Sequence, residues 1–143
     1  MITYKIPLFV LTDCDPHGVD IYRSYVYGSK LDFKFRLPEA NCKWIGLRPS
    51  QLENIFHDQN KFVQSLVSME ITNREETIVK GLENNRRLHI FNPSIEEELL
   101  LFQDTQEKYE IDCISLSADD RLKNFVYEQI KLIANGKQLV INF

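Results

Sequence analysis

Two aspartates separated by one residue, Asp13 and Asp15, are the most chemically pointed feature of the sequence. They follow the apolar run Pro7-Leu8-Phe9-Val10-Leu11 and sit within Thr12-Asp13-Cys14-Asp15-Pro16-His17-Gly18. In an extended segment, residues two apart face the same way, so both carboxylates lie on one side. Two hard oxygen donors on one side suit Mg²⁺ or Mn²⁺, which keep part of their water shell and bind phosphates. Cys14 then points the other way and reads as a core residue. The same residues also have a purely local reading. Asp15-Pro16 has the form of a helix start, with Asp at the N-cap and Pro at the first helical position. The two readings are compatible, because a capping carboxylate keeps one oxygen for a metal.

The elements around the aspartates must position them. Residues 7–11 are apolar without alternation, the pattern of a strand buried on both faces in a parallel sheet. Open parallel sheets bind ligands beyond the carboxyl ends of their strands, which is where Asp13 and Asp15 fall. From Val19 the period changes. Val19, Tyr22, Tyr25 and Val26 recur at spacings of three and four, an amphipathic helix that Gly28 would stop. Residues 29–41 read as a loop. Cys42-Lys43-Trp44-Ile45-Gly46-Leu47 reads as a second buried strand, with Trp44 in the core. Residues 7–12 and 43–47 are expected side by side and parallel, joined through the helix.

Beyond residue 47 the sequence turns helical. A hydroxyl residue followed three positions later by an acid marks four helix starts: Ser50…Glu53, Thr72…Glu75, Ser94…Glu97 and Ser117…Asp120, the last in the weaker Asp form. Apolar faces follow, with Leu99 and Phe102, then Phe125, Val126, Ile130 and Ile133. Asn135-Gly136 stops the last helix, and Leu139-Val140-Ile141 reads as a final strand or ordered tail. Glu96-Glu97-Glu98 reads as a solvated first helical turn rather than a metal site. Strands followed by helices give an α/β fold.

Composition narrows the function classes. The chain has 143 residues, 43% hydrophobic and 27% charged, enough for one domain with its own core. No apolar run approaches the ~18 residues of a membrane span. Met1 to Leu11 lacks the features of a signal peptide. Three widely spaced cysteines, Cys14, Cys42 and Cys113, argue against a disulfide framework or a zinc cluster and for a reducing compartment. The net charge of −4 is unevenly spread. Residues 1–50 carry seven Lys/Arg against five Asp/Glu, and residues 51–143 ten against sixteen. An acidic chain is a poor non-specific nucleic-acid binder, and only its first third could face a phosphate backbone.

Three acidic motifs compare with Asp13 and Asp15. An EF-hand loop needs further acids where His17 and Ser24 stand, and a helix rather than a strand in front. A haloacid-dehalogenase-like phosphatase ends its first strand in Asp-x-Asp, and Asp119-Asp120 could imitate its later acidic motif. However, Pro16-His17-Gly18 is not its usual turn, and Asp119-Asp120 lacks the preceding Gly. The third comparison covers nearly the whole chain. Thr12-Asp13-Cys14-Asp15-Pro16-His17-Gly18-Val19-Asp20-Ile21, followed by Tyr25-Val26-Tyr27-Gly28-Ser29-Lys30, resembles the Toprim domain of the DNA topoisomerase VI A-type protein and its meiotic relatives. Those relatives are the transesterases that make the double-strand breaks starting meiotic recombination. Trp44-Ile45-Gly46-Leu47-Arg48-Pro49-Ser50, Glu70-Ile71-Thr72-Asn73-Arg74-Glu75, Glu98-Leu99 and Lys108-Tyr109-Glu110-Ile111 are similar to its later motifs, in order.

The resemblance implies a Toprim (Rossmann-like) parallel sheet flanked by helices, with additional C-terminal helices. Residues 1–143 are then one domain, the C-terminal part of a Toprim domain. Asp13 and Asp15 hold Mg²⁺ (or Mn²⁺) together with a glutamate from an earlier Toprim strand. That strand, and a winged-helix domain with the nucleophilic tyrosine, are expected upstream. None of Tyr4, Tyr22, Tyr25, Tyr27, Tyr109 and Tyr127 lies in a matching motif, so the isolated chain is expected to be inactive. In the family, a tyrosine from one protomer and a metal site from its partner build each centre. The implied partners are DNA, a second copy, a topoisomerase VI B-like protein and meiotic accessory proteins, in the nucleus and without a membrane. His17, Arg23, Lys30 and Arg48 are the candidate DNA contacts, and Asp20 reads as a solvated first-turn acid. A phosphatase of the haloacid-dehalogenase type and a non-catalytic interaction module are the competing functions.

Overall fold

Strands β1 (Leu8–Leu11) and β2 (Cys42–Gly46) lie side by side and parallel, with Leu8 opposite Cys42 and Val10 opposite Trp44. The computed structural model describes residues 7–27, 42–85, 94–116 and 118–135. The readings of Gly28, Lys30, the loop 29–41, Ser117 and the tail 136–143 lie outside them. The register slips after Val10, so that Leu11 faces Gly46. Pairing continues past the strand, with Thr12 N donating to Gly46 O (2.8 Å) and Leu47 N to Thr12 O (2.7 Å). The aspartate turn is therefore tied to the carboxyl end of β2. This is the mixed α/β arrangement expected of the two apolar runs.

One expectation needs correction. β1 is not buried on both faces. Val10 is buried, Leu11 and Phe9 are half-buried, and Leu8 is 37% exposed. Among the described residues β1 has a strand on one edge only, so its side chains also line an open groove. An unalternating apolar run reports low polarity and does not count neighbours.

Helix α1 (Pro16–Tyr27) packs against α4 (Asn73–Glu83), and Val19, Tyr22 and Val26 of its apolar stripe are all buried. Tyr25, expected on that stripe, is 50% exposed and borders the groove beside β1. Trp44 lies in the core as expected. It stacks on Tyr22 with ring centroids 6.1 Å apart, and its Nε1 donates to the Thr12 hydroxyl at 3.1 Å.

After β2 a 3-10 turn (Pro49–Gln51) leads into α2 (Leu52–Phe56) and α3 (Lys61–Val67), the latter capped by Asn60 Oδ1 accepting from Val63 N. β3 (Met69–Glu70) pairs antiparallel with β4 (Glu107–Lys108). Between them run α4 and α5 (Ser94–Thr105). A second 3-10 segment (Ile111–Ser115) precedes α6 (Arg121–Asn135).

Of the four helix-start signals, Thr72…Glu75 forms the reciprocal box. Glu75 N donates to Thr72 Oγ1 and Thr72 N donates to Glu75 Oε1. Ser50 instead lies inside the 3-10 turn, where its N and Oγ donate to Glu98 of α5. Glu98 is consequently buried, unlike the exposed Glu96 and Glu97, and is not the solvated first-turn acid expected. Leu99 and Phe102 are fully buried as expected. In α6, by contrast, Phe125, Val126, Ile130 and Ile133 are only half-buried and no described residue is buried. Among the described elements that helix packs mainly against β2 and the second 3-10 segment. No described helix is long and apolar enough to cross a membrane.

Candidate metal centre

The aspartate turn is held from three sides. Thr12 anchors it below. Its hydroxyl accepts from Trp44 Nε1 and donates to Asp13 O at 3.1 Å. Gly18, in the first turn of α1, closes against the same two residues. A Cβ there would lie 2.5 Å from Asp13 O and 2.5 Å from Thr12 Oγ1, so only glycine fits this close approach. On the third side comes the segment after β4. Cys14 N donates to Tyr109 O (2.9 Å) and Tyr109 N donates to Cys14 O (3.0 Å), a two-way backbone bridge.

Both carboxylates use one oxygen locally. Asp15 Oδ1 accepts from Gly18 N at 2.7 Å, so Asp15 is the N-cap of α1. Asp13 Oδ1 accepts from Ile111 N at 2.7 Å, across 98 positions of sequence. The second oxygen of each has no hydrogen bond within the described structure. Both residues line a groove of about 580 Å³ beside β1, together with His17 and Ile111. Asp15 therefore caps α1 while its other carboxylate oxygen remains without a hydrogen bond among the described residues.

The electrostatics single out Asp15. Partial burial holds its carboxyl above the usual carboxylate range. The Gly18 amide and the neighbouring His17 oppose this, and the Asp13 charge adds to it. Repulsion between the aspartates is therefore real but smaller than desolvation. Cys14 is fully buried on the opposite side, and burial, with Cys113 and Glu98 nearby, pushes its thiol up. It is a core residue and offers no thiolate.

Two hard carboxylate oxygens, oriented and facing one groove, fit a small divalent cation that retains waters and takes phosphate oxygens. They do not fit zinc, which favours thiolate and imidazole donors in a closed tetrahedron. Among the described residues no third His, Cys, Asp or Glu joins them into a metal cluster.

The candidate DNA contacts separate in space. His17 is exposed at the second position of α1 and shares the aspartate groove. Arg23 pairs with Asp20 at 2.8 Å and lies off the groove, so Asp20 serves that ion pair. Arg48 lines a different cavity of about 310 Å³ with Tyr22, Trp44 and Glu98. Lys30 is outside the described residues. Asp119 and Asp120, the acids a phosphatase would need, are exposed in the turn before α6 and do not line the groove.

Sequence reading missed the supports of the turn. Ile111, Thr12 and Gly18 act through an amide, a hydroxyl and an absent Cβ. The one signal available was the Lys108-Tyr109-Glu110-Ile111 stretch, which carried no assigned role.

Comparison with known proteins supplies the family. The model for the Toprim domain shared by the topoisomerase 6 A-type protein and Spo11 matches residues 1–130. The chain is 31% identical over 137 residues to human "Meiotic recombination protein SPO11", covering 94% of this chain and 32% of that protein. It is 29% identical over 136 residues to the mouse protein of the same name, with the same coverage of each chain. It is 28% identical over 130 residues to the A-type protein of DNA topoisomerase 6 from Arabidopsis thaliana, covering 90% of this chain and 29% of that one. The chain thus spans about a third of the length of these relatives.

Proposed function

Since the chain belongs to the topoisomerase 6 A-type/Spo11 family, through its Toprim domain, we propose that it supplies the metal-binding half of a DNA transesterase centre of the kind that makes meiotic double-strand breaks. The observation that carries this reading is the pair Asp13 and Asp15, each with one oxygen fixed by a backbone N–H and one left for a cation, in a shared groove. In the reaction a tyrosine oxygen bonds to a DNA phosphorus as the bond to the 3′ oxygen breaks. The tyrosine loses its proton and the 3′ oxygen gains one, leaving a 5′-phosphotyrosyl link and a 3′-hydroxyl. A bound Mg²⁺ or Mn²⁺ would stabilise charge on the phosphate and the leaving oxygen.

The described residues supply orientation and charge, and the nucleophile comes from elsewhere. Tyr22 and Tyr109 are buried in the core, and the exposed Tyr25 at the groove and Tyr127 lie in no motif that matches the family's nucleophile. Burial pushes the Tyr109 hydroxyl up to about 12, with Gln64 and Glu107 as its hydrogen-bond partners. The tyrosine and a third acidic ligand would be contributed by an upstream winged-helix domain and an upstream Toprim strand. The open side of β1 is a place such a strand could occupy. His17 would meet a DNA phosphate at the groove, and Lys30, Arg23 and Arg48 would act farther from the metal. A second copy, a topoisomerase VI B-like protein, meiotic accessory proteins and chromosomal DNA in the nucleus complete the assembly.

Manganese titration followed by NMR tests this reading. Paramagnetic broadening should centre on residues 12–18, and Asp13→Asn should abolish it. The chain alone should form no covalent adduct with DNA. Broadening that centres elsewhere, or survives Asp13→Asn with Asp15→Asn, would leave an interaction module that keeps the fold. Hydrolysis of p-nitrophenyl phosphate dependent on Asp13 would instead favour a phosphatase.

A further inference from the structure

We propose that the Ile111 amide is a positioning group of the metal centre, and that residues 109–111 form a strap whose docking is coupled to cation binding. This rests on the reading of Asp13 and Asp15 as cation ligands. Asp13 is exposed, its carboxylate has two rotatable bonds, and among the described residues no side chain hydrogen-bonds to it. One hydrogen bond, from Ile111 N at 2.7 Å, selects its orientation. Asp15 needs no such help, because its cap bond comes from its own helix.

The strap is built to hold that amide in place. Tyr109 is bridged to Cys14 in both directions. Its ring is buried with its centroid 5.6 Å from that of Phe56, and its hydroxyl is held by Gln64 of α3 and by Glu107. Lys108 is anchored to Glu75 of α4 at 2.7 Å. Cys113 N donates to Glu110 O at 3.1 Å and starts the 3-10 segment. The amide that reaches Asp13 is thus fixed by contacts to three other elements. Groups that orient a metal ligand from behind typically change metal affinity by about 10- to 100-fold when lost. Coupling is reciprocal, so a cation that prefers the oriented carboxylate must also favour the docked strap.

Ile111→Pro removes the one N–H concerned. Ile111 is the first residue of its 3-10 segment, where proline is tolerated, and Glu110 before it is extended (φ −77°, ψ 153°), as a residue preceding proline prefers. Ile111→Ala is the control, since it also loses the half-buried side chain but keeps the amide. Mn²⁺ affinity is read from NMR broadening on the whole chain. The Ala variant should stay within about twofold of the parent and the Pro variant should weaken about tenfold, with both spectra well dispersed. Equal affinities for the two variants would overturn the proposal. A second measurement on the parent is independent of either variant's folding. Saturating Mg²⁺ should slow hydrogen exchange at the Ile111 and Tyr109 amides, and unchanged exchange there would overturn the coupling. A parent that binds no Mn²⁺ at residues 12–18 brings down the functional reading itself, which is visible before any variant is compared.

Discussion

Trp44 and Thr12 meet across the parallel pair, indole Nε1 to hydroxyl at 3.1 Å, and the same hydroxyl passes its own proton toward Asp13 O. Thr12→Val keeps the shape and removes the hydroxyl. A buried indole N–H then loses its acceptor, which costs about 1–3 kcal/mol. Thr12→Ser keeps the relay and should lose less. Urea unfolding of the two variants checks this, and equal stabilities would show that the relay contributes nothing.

Gly18→Ala should be the most damaging single-methyl change in the turn. Its Cβ would meet the Asp13 carbonyl and the Thr12 hydroxyl at 2.5 Å, and neither is the end of a flexible chain. The turn must open, at about 3 kcal/mol. Mn²⁺ binding should weaken in parallel. Unfolding and titration of the same sample test both, and an undisturbed variant would contradict the close approach.

Asp15→Asn should separate charge from capping. Burial holds the folded-state carboxyl above its unfolded value. The folded protein therefore binds the proton more tightly, and Asp15 lowers stability as pH rises from the unfolded value through the folded one. Asn caps about as well as Asp. The variant should lose that pH dependence, be at least as stable as the parent at neutral pH, and bind Mn²⁺ more weakly. Urea midpoints from pH 3 to 8 decide it, and a variant less stable at pH 7 would contradict the burial argument.

Lys108→Met should destabilise with the opposite pH signature. Burial works against an ionised Glu75, but Lys108 and the Thr72 box outweigh it and lower its pKa. The associated stability is present above the unfolded carboxylate value and is lost as pH falls through the folded one. Removing the cation strands a buried carboxylate whose Oε2 already lacks a hydrogen bond. Because Lys108 is partly exposed, the loss should be about 2 kcal/mol at neutral pH rather than the larger figure for fully buried pairs. The gap to the parent should narrow on acidification, as Glu75 protonates. A gap independent of pH would assign the effect to packing alone.

The parallel pair and α1 were legible because their patterns are made of side chains: an apolar run, then spacings of three and four, then a second run. The aspartates were legible for the same reason. β1's open side was not, since Leu8 and Phe9 look alike whether a strand or solvent lies beside them. Ser50 carried the same signal as Thr72 yet bound Glu98 of α5, a partner 48 positions away that no local window contains. The apolar stripe of α6 is legible as a stripe, but its depth of burial depends on what covers it. The Ile111 amide was the least visible, because every residue except proline carries one.

The Cys14–Tyr109 bridge also sets an order of events during synthesis. A ribosome delivers both aspartates almost at once, yet the amide that aims Asp13 emerges some 98 residues later. At about 5–20 residues per second, the turn waits about 5–20 seconds before it can be completed. A chain cut short before residue 109 would carry the whole acidic motif and still lack its aim. Early termination would thus yield a product that looks intact to any reader of the motif while lacking the contact that orients its first carboxylate.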